Sequence, residues 1–538
     1  MPVTVTYPGV YVEEIPSGVR SISGVNTSTA AFIGWAARGP VDRARRISTF
    51  QDFARHFGGL DRRSLLGYSV QHFFANGGHD AYIVRLAADN ALTASVTLSG
   101  ALTVEARSPG DWGKEYSVEI VARSDDASRF RLAIWHTPSG QPHVVVESFD
   151  DLSLLPEDPR SVTSVLGAES SLVQAALFGS PATPPADTPA GAPASLVGGD
   201  DGDVLVPNTA AFESKLGVCP SNLRGGPCGP PSPLDPATRR GGLFLLDRID
   251  GFNLLCVPGE TNPSAVASLQ KYCRDKGVFA ILDSIENTPP ATMKTGPDPA
   301  LTGADALNSA LYFPWVKCSD PLQENHIRDF PPCGFIAGLY ARSDRTRGVW
   351  EAPAGSDATL IGAAGVALPL TDGESRILNS RGINSIRTLP GHGTVAWGSR
   401  TLHGADQLAS EWKYVPVRRL ALYIEESLFR GTRWAVFEPN DEPLWAQIRL
   451  NVGTFMHDLF MQGAFPGTLP RDAYFVKCDK DTTTQNDIDQ GVVSIVVGFA
   501  PIKPAEFVVI TIQQIACRPV ETGPSEPTFK DPVRPTAR

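Results

Sequence analysis

The chain has 538 residues, 42% of them hydrophobic and 20% charged, and carries a formal net charge of −11. That length exceeds what one ordinary core supports, so three or four domains or large insertions are expected. The acidic balance argues against a nucleic-acid binder, whose affinity comes mainly from Lys and Arg, and no stretch approaches the ~18 consecutive apolar residues that span a bilayer.

Residues 1–25 contain Pro-Gly and Pro-Ser turns and one short alternating run, "GVYVEEI", and read as an extended arm. The start lacks a basic segment followed by an apolar one, so no secretory signal is expected. From 26 to 90 the pattern is compact. The strand "TAAFIGWA" leads to a helix with Phe50, Phe53 and Phe57 on one face, stopped by Gly58-Gly59. A second helix carries Leu66, Val70, Phe73 and Phe74, ends at "NGG" and feeds the strand "AYIVRL". Apolar spacing and glycine stops agree here. Between Arg38 and Arg63 stand seven arginines (38, 43, 45, 46, 55, 62, 63) against Asp42, Asp52 and Asp61, which fits either a solvated face or a protein contact.

Residues 91–175 switch to period two in "LTVEA", "YSVEIVA", "FRLAIW" and "HVVVE", which predicts a small antiparallel insertion followed by a weaker helix. Residues 176–240 are Pro-, Ala- and Gly-rich and read as a mobile linker, with one turn of order at "NTAAFESKLG". From 241 to 345 the order strand, helix, strand is a βαβ signature: "FNLLCVPG", then Asn262 as N-cap with Pro263 behind it, then "VFAILDSI". Two strong helices follow within 346–504. One places Val417, Leu420, Ala421, Ile424 and Leu428 on a single face. The other is expected to start at Asn440 as cap, with Asp441 and Glu442 on its positive end and Pro443, and to bury Trp445, Ile448, Val452, Phe455, Met456 and Leu459. Residues 505–538 hold a strand-prone run and a polar tail.

Chemistry is hard to find in these residues. "GHGTVA" (391–396) has the letters of a dinucleotide fingerprint but no following helix to offer a pyrophosphate, so it reads as a turn. "GDWGKE" around Lys114 lacks the flanking residues of a phosphate loop and reads as a β-hairpin turn. Glu260 and Asp283 end neighbouring strands, where α/β folds often place acids, yet capping or turn roles explain both. The eight cysteines form no Cys-x-x-Cys pair and have no histidine at zinc spacing; Cys256 and Cys273 read as buried thiols, consistent with synthesis in a reducing cytoplasm. No catalytic, cofactor-binding or metal-binding residue is therefore expected.

Several long segments carry a family resemblance. "YPGVYVEEIPSGVRSISGVNTSTAAFIGWAARGP" (7–40) resembles the N-terminus of contractile tail sheath proteins of bacteriophages, R-type pyocins and phage-like injection systems. "ALYFPWVKCSDP", "RGVWEAPAG", "RGINSIRTLPGHGTVAWGSRTL", "WKYVPVRRLALYIEESLFRGTRWAVFEPNDEPLW" and "FVKCDKDTTTQNDIDQG" with "FAPIKPAEFV" resemble successive later segments of that family. The likeness covers about 1–90 and 241–515; the 180–240 stretch and the tail after Ala516 depart from it.

The resemblance implies an α+β multidomain sheath fold with a mixed α/β core, an outer antiparallel β insertion and extended arms at both ends. It implies a subunit that polymerises into stacked hexameric rings around an inner tube protein, with baseplate and tail-terminator or cap proteins as further partners. No nucleic acid and no direct membrane insertion are implied; the protein would be made in the bacterial cytoplasm and released by lysis in an assembled particle. It further implies that Val10, Tyr11, Val12, Glu13 and Ile15 of the N-terminal arm, and Glu506, Phe507, Val508, Val509, Ile510 and Ile512 of the C-terminal arm, add strands to neighbouring subunits. Arg38, Arg43, Arg45 and Arg46 are expected to form a basic subunit-contact patch. Two other readings stay open from sequence: an α/β enzyme centred on 241–345, and a different tail or capsid polymer.

Overall fold

The computed structural model describes residues 21–98, 102–126, 128–138, 142–178, 184–189, 192–218 and 241–506. The chain divides into a compact unit, residues 1–503, and a second unit, residues 504–538, of which only 504–506 are described. All of the N-terminal arm residues expected to exchange strands lie outside the described residues, as do Phe507, Val508, Val509, Ile510 and Ile512.

The first unit is built on an eight-stranded sheet, whose strands in chain order are β1 (Ala30–Trp35), β2 (Arg45–Ile47), β3 (Ala81–Leu86), β4 (Leu254–Cys256), β5 (Phe279–Asp283), β6 (Ser309–Phe313), β7 (Ile383–Leu389) and β8 (Gly393–Ala396). Their spatial order is β8-β7-β6-β5-β4-β1-β3-β2. The six inner strands run parallel, while β2 and β8 pair antiparallel at the two edges. Strands buried on both faces need apolar residues throughout, which is why β1 reads AAFIGW without alternation. Phe32 and Leu254 face one core and Ile33 and Leu255 the other. The segments 26–90 and 241–345, far apart in sequence, are thus neighbours through the β1–β4 register, Ala30 opposite Leu254.

Six helices matter most: α1 (Phe50–Phe57), α2 (Leu66–Ala75), α3 (Pro263–Lys276), α4 (Cys333–Arg347), α5 (Val415–Gly431) and α6 (Glu442–Met461). Local chemistry sets their ends. Thr49 caps α1, which stops at Gly58 in the left-handed region (φ 95°); Asn262 caps α3, which stops at Gly277 (φ 68°). Helices α2 and α4 pack closely on the first core because Gly334 and Gly338 leave room: a Cβ on Gly334 would strike Ser69 O, and one on Gly338 would lie 2.5 Å from Phe73 O. For α6 the expected cap is off by one. Asp441 accepts from Leu444 N (3.3 Å), whereas Asn440 donates to Val492 O (3.0 Å) and accepts from Trp445 Nε1 (2.8 Å). The charged side chain one residue nearer the helix reaches the free N–H groups, while the amide of Asn440 is engaged elsewhere.

The insertion between β3 and β4 holds two antiparallel sheets around a core of its own. Strands Ser95–Leu98, Leu102–Ala106 and Val173–Leu177 form one; Tyr116–Ala122, Phe130–His136, Val144–Leu152 and the short Ala194–Ser195 form the other. Two expectations change here. "GDWGKE" is not a hairpin turn, because Asp111–Glu115 is a 3-10 turn carrying the chain from one sheet to the other. The described part of 184–196 is not a free linker either: Thr188 N donates to Ile120 O (3.0 Å), Asp187 accepts from Ala122 N (2.5 Å) and Ala194 pairs with Val118. An open sheet edge captures chain that composition alone leaves unassigned. "NTAAFESKLG" forms a full helix, Ala210–Leu216, capped by Thr209.

Beyond the sheet, α5 bridges two cores. Val415 and Leu422 belong to the first core, Leu420 and Ile424 to a C-terminal one that also buries Trp445, Ile448, Val452, Phe455, Met456 and Leu459 of α6. Against this module lies a two-stranded antiparallel sheet, Tyr474–Lys477 with Val496–Phe499.

Candidate assembly surfaces

Residues 22–27, among the first described, are held in a built site. Val25 N donates to Ser427 Oγ of α5 (3.1 Å), and Thr27 Oγ1 donates to Asp344 Oδ2 of α4 (2.7 Å). Arg419 of α5 grips both partners: its Nη1 and Nη2 donate to the Asp344 carboxylate at 2.8 and 2.6 Å, and Nη2 also donates to Thr27 O at 2.9 Å. The guanidinium lies 4.7 Å over the Tyr340 ring, and both charged side chains are about 95% removed from water, at 4% and 5% exposure. Two-point Arg–carboxylate geometry, with Thr27 O as a further acceptor, is what allows such a pair to be buried. Ile22 packs so tightly on α5 that a Cβ on Gly431 would lie 2.5 Å from it. Residues 22–27 are therefore fixed against α4 and α5. Sequence periodicity gave Leu420 and Ile424 on α5 but no signal for Arg419, whose partner is 75 residues away.

Near the end of the first unit lies the two-stranded sheet. Tyr474 pairs with Phe499 and Lys477 with Val496, and Ala500 N donates to Ala473 O (2.8 Å). Only these two strands pair in that sheet among the described residues, and Phe475 and Val496 on it are exposed. Of the residues expected to exchange strands, only Glu506 is described, and it lies outside any strand.

The four arginines of the basic patch are close in sequence but differently engaged. Arg45 meets His56 Nε2 (3.0 Å), Arg46 pairs with Asp80 (2.9 Å) at the β2 edge, and Arg38 lies 5.7 Å over the Trp112 ring of the insertion. Farther along, Arg63 pairs with Asp61 and Asp201 and lies 4.7 Å over Trp35. Much of this arginine run thus holds the insertion and the sheet edge together.

The two carboxylates at the strand ends serve the fold. Asp283 accepts from Gly259 N (3.0 Å) and Cys333 N (2.8 Å), tying the turn after β4 to the start of α4; burial pushes its carboxyl up to about 6. Glu260, also raised by burial, accepts from Asn208 N and Asn262 N. "GHGTVA" spans the β7–β8 turn, with Gly391 and Gly393 at positive φ. Cys256, Cys273, Cys318, Cys333 and Cys478 are buried free thiols. No helix among the described residues is long and apolar enough to cross a membrane.

Comparison with known proteins decides what these surfaces belong to. The phage tail sheath C-terminal domain family matches residues 409–515, the segment carrying α5, α6 and the two-stranded sheet. A prophage major tail sheath protein of Pseudomonas aeruginosa is 28% identical over 282 residues, 50% of this chain and 67% of that one. Residues 409–515 thus carry the phage tail sheath C-terminal domain, and the matches together support a contractile tail sheath protein. The tail sheath protein of Vibrio phage KVP40 is 25% identical over 224 residues, covering 40% of this chain and 32% of its own length. In fold, the chain is similar to the helical sheath of the anti-feeding prophage in its contracted state, with a TM-score of 0.57 and 22% identity over 95% of this chain and 100% of the other. The mixed α/β sheath fold is that of these structures, and the protein is a sheath subunit of a contractile tail or injection system.

Proposed function

We propose that this subunit polymerises into stacked hexameric rings around an inner tube, bound at its ends by baseplate and terminator proteins, and contracts to drive the tube through a target envelope. The observation that carries this reading is the pair of arm roots: the N-terminal arm leaves α5 at Ile22, and the C-terminal chain leaves a sheet with two strands among the described residues. Strands Val10–Ile15 and Glu506–Ile512 donated by neighbours would extend that sheet, with main-chain hydrogen bonds worth ~1 kcal/mol each net and a strict register. Pro8-Gly9, Pro16-Ser17-Gly18, Pro501 and Pro504 supply turns about which bodies rotate while strands stay paired. Arg38 and Arg43 are the basic-patch residues left to meet an acidic neighbour. The role is structural, without catalysis: the work is the free-energy gap between two packings of the same bodies. Even ~5 kcal/mol per subunit biases each one several-thousandfold.

Expressed alone, the chain is expected to form hollow cylinders. Deleting residues 1–20, or everything from 505 on, should give folded subunits that stay unassembled by sedimentation and electron microscopy. A truncated subunit that is unfolded by circular dichroism would mean that the strands complete their own core, and would sink the exchange.

A further inference from the structure

The loop between α5 and α6 carries a feature that neither the body nor the arms use. Phe437 is fully exposed, at 102%, and has φ +70°, a conformation that costs a bulky L-residue free energy and persists only where the surroundings impose it. They do impose it: Ala435 N donates to Thr432 O, Val436 N to Arg433 O and Glu438 N to Ala435 O, and Asn440 ties the loop end to Val492. Val436 and Phe429 beside it are 62% and 61% exposed. A rigid loop thus holds an aromatic ring in water.

The same chain carries a receptor of suitable chemistry. A groove of about 620 Å³ opens where the N-terminal ends of β1, β4 and β5 face α5, with Phe252, Leu422 and Phe429 among its apolar walls and Arg46, Glu426 and Arg430 among its charged ones. At its rim Asp275 is exposed and has no ion-pair partner among the described residues, and Lys276 follows it. The loop offers the complement: among the described residues Arg433 is exposed with its side chain over the Phe429 ring at 5.0 Å and in no ion pair, and Glu438 is exposed and unpaired. Arg433 of the loop rests on Phe429, which also walls the groove, so knob and groove adjoin on one chain. A knob that seats in the next copy's groove and leaves that copy's own knob free makes a heterologous contact, which propagates rather than closing into a dimer.

We propose that Phe437 is an anchor that seats in this groove of a second copy of the chain, with Arg433 meeting that copy's Asp275. The proposal rests on the assembly reading above. It adds a side-chain contact, independent of strand exchange, that selects which copy lies beside which. Buried aromatic and arginine anchors of this kind dominate interface energetics.

The test uses the full chain alone. A photo-crosslinking residue at 437 should capture peptides 246–253 or 422–430 of another copy in the assembled material. Phe437→Gly relieves the backbone, so its melting temperature should be no lower than wild type, while its half-assembly concentration rises at least about tenfold. Arg433→Glu should impair assembly likewise, and adding Asp275→Arg should restore it. Crosslinks elsewhere, capture of a different protein from whole particles, or Phe437→Gly assembling like wild type would overturn the anchor. Those results leave wild-type cylinders intact, whereas a wild type that stays monomeric overturns both this and the assembly reading.

Discussion

His72 gives the subunit an acid sensitivity that can be worked out from its surroundings. It lies on α2, 5% exposed, stacked 3.9 Å from the Phe335 ring of α4 and edge-on to Phe330, with no partner for Nε2 among the described residues. Burial in this aromatic slot pulls the imidazole down from 6.5 to about 3. A depressed pKa means that the stabilisation is present above 6.5 and is lost as pH falls from there toward 3. Each pH unit in that window costs about 1.4 kcal/mol, so moving from pH 7 to pH 4 should remove about 3 kcal/mol through this ring alone. His72→Phe keeps the stacking and removes the titration. Urea unfolding of dilute wild type and His72→Phe, followed by tryptophan fluorescence at pH 7 and pH 4, measures the difference. The variant should lose about 3 kcal/mol less between the two pH values. Equal losses in both proteins would refute the argument.

Further outcomes follow from other contacts. Arg419→Met leaves the Asp344 charge buried without its main partner and should cost about 3–5 kcal/mol, most of it recovered by adding Asp344→Leu; hydrogen exchange at Val25–Thr27 should rise in the single variant. Gly338→Ala forces a Cβ to 2.5 Å from Phe73 O and should cost about 1–3 kcal/mol in the same unfolding assay. Asp441→Ala should cost about 1 kcal/mol as the true cap of α6, and a neutral result there would return the cap to Asn440. Contraction of extended particles in nucleotide-free buffer with a chelator should go to completion and not reverse when the trigger is removed; a requirement for ATP would exclude stored lattice energy as the source of work.

Much of this protein follows from local sequence. The faces of α1, α2, α5 and α6, the caps Thr49 and Asn262, the βαβ unit of β4, α3 and β5, and the period-two strands of the insertion are set by side-chain spacing and terminal chemistry within a few residues. Such signals fade where the deciding partner is distant. That β1 pairs with β4 across more than 200 residues, joining two segments into one sheet, depends on non-local pairing that no window contains. The capture of Asp187 and Thr188 by the edge at Ile120 and Ala122, the Arg419–Asp344–Thr27 knot, and a phenylalanine held at positive φ in water are likewise decided by packing. The sequence carries the elements and the family likeness. Tertiary structure alone decides which charges are buried together, where the arm is rooted and which apolar surface remains for another subunit, because burial and pairing are properties of the assembled surroundings and not of the residue.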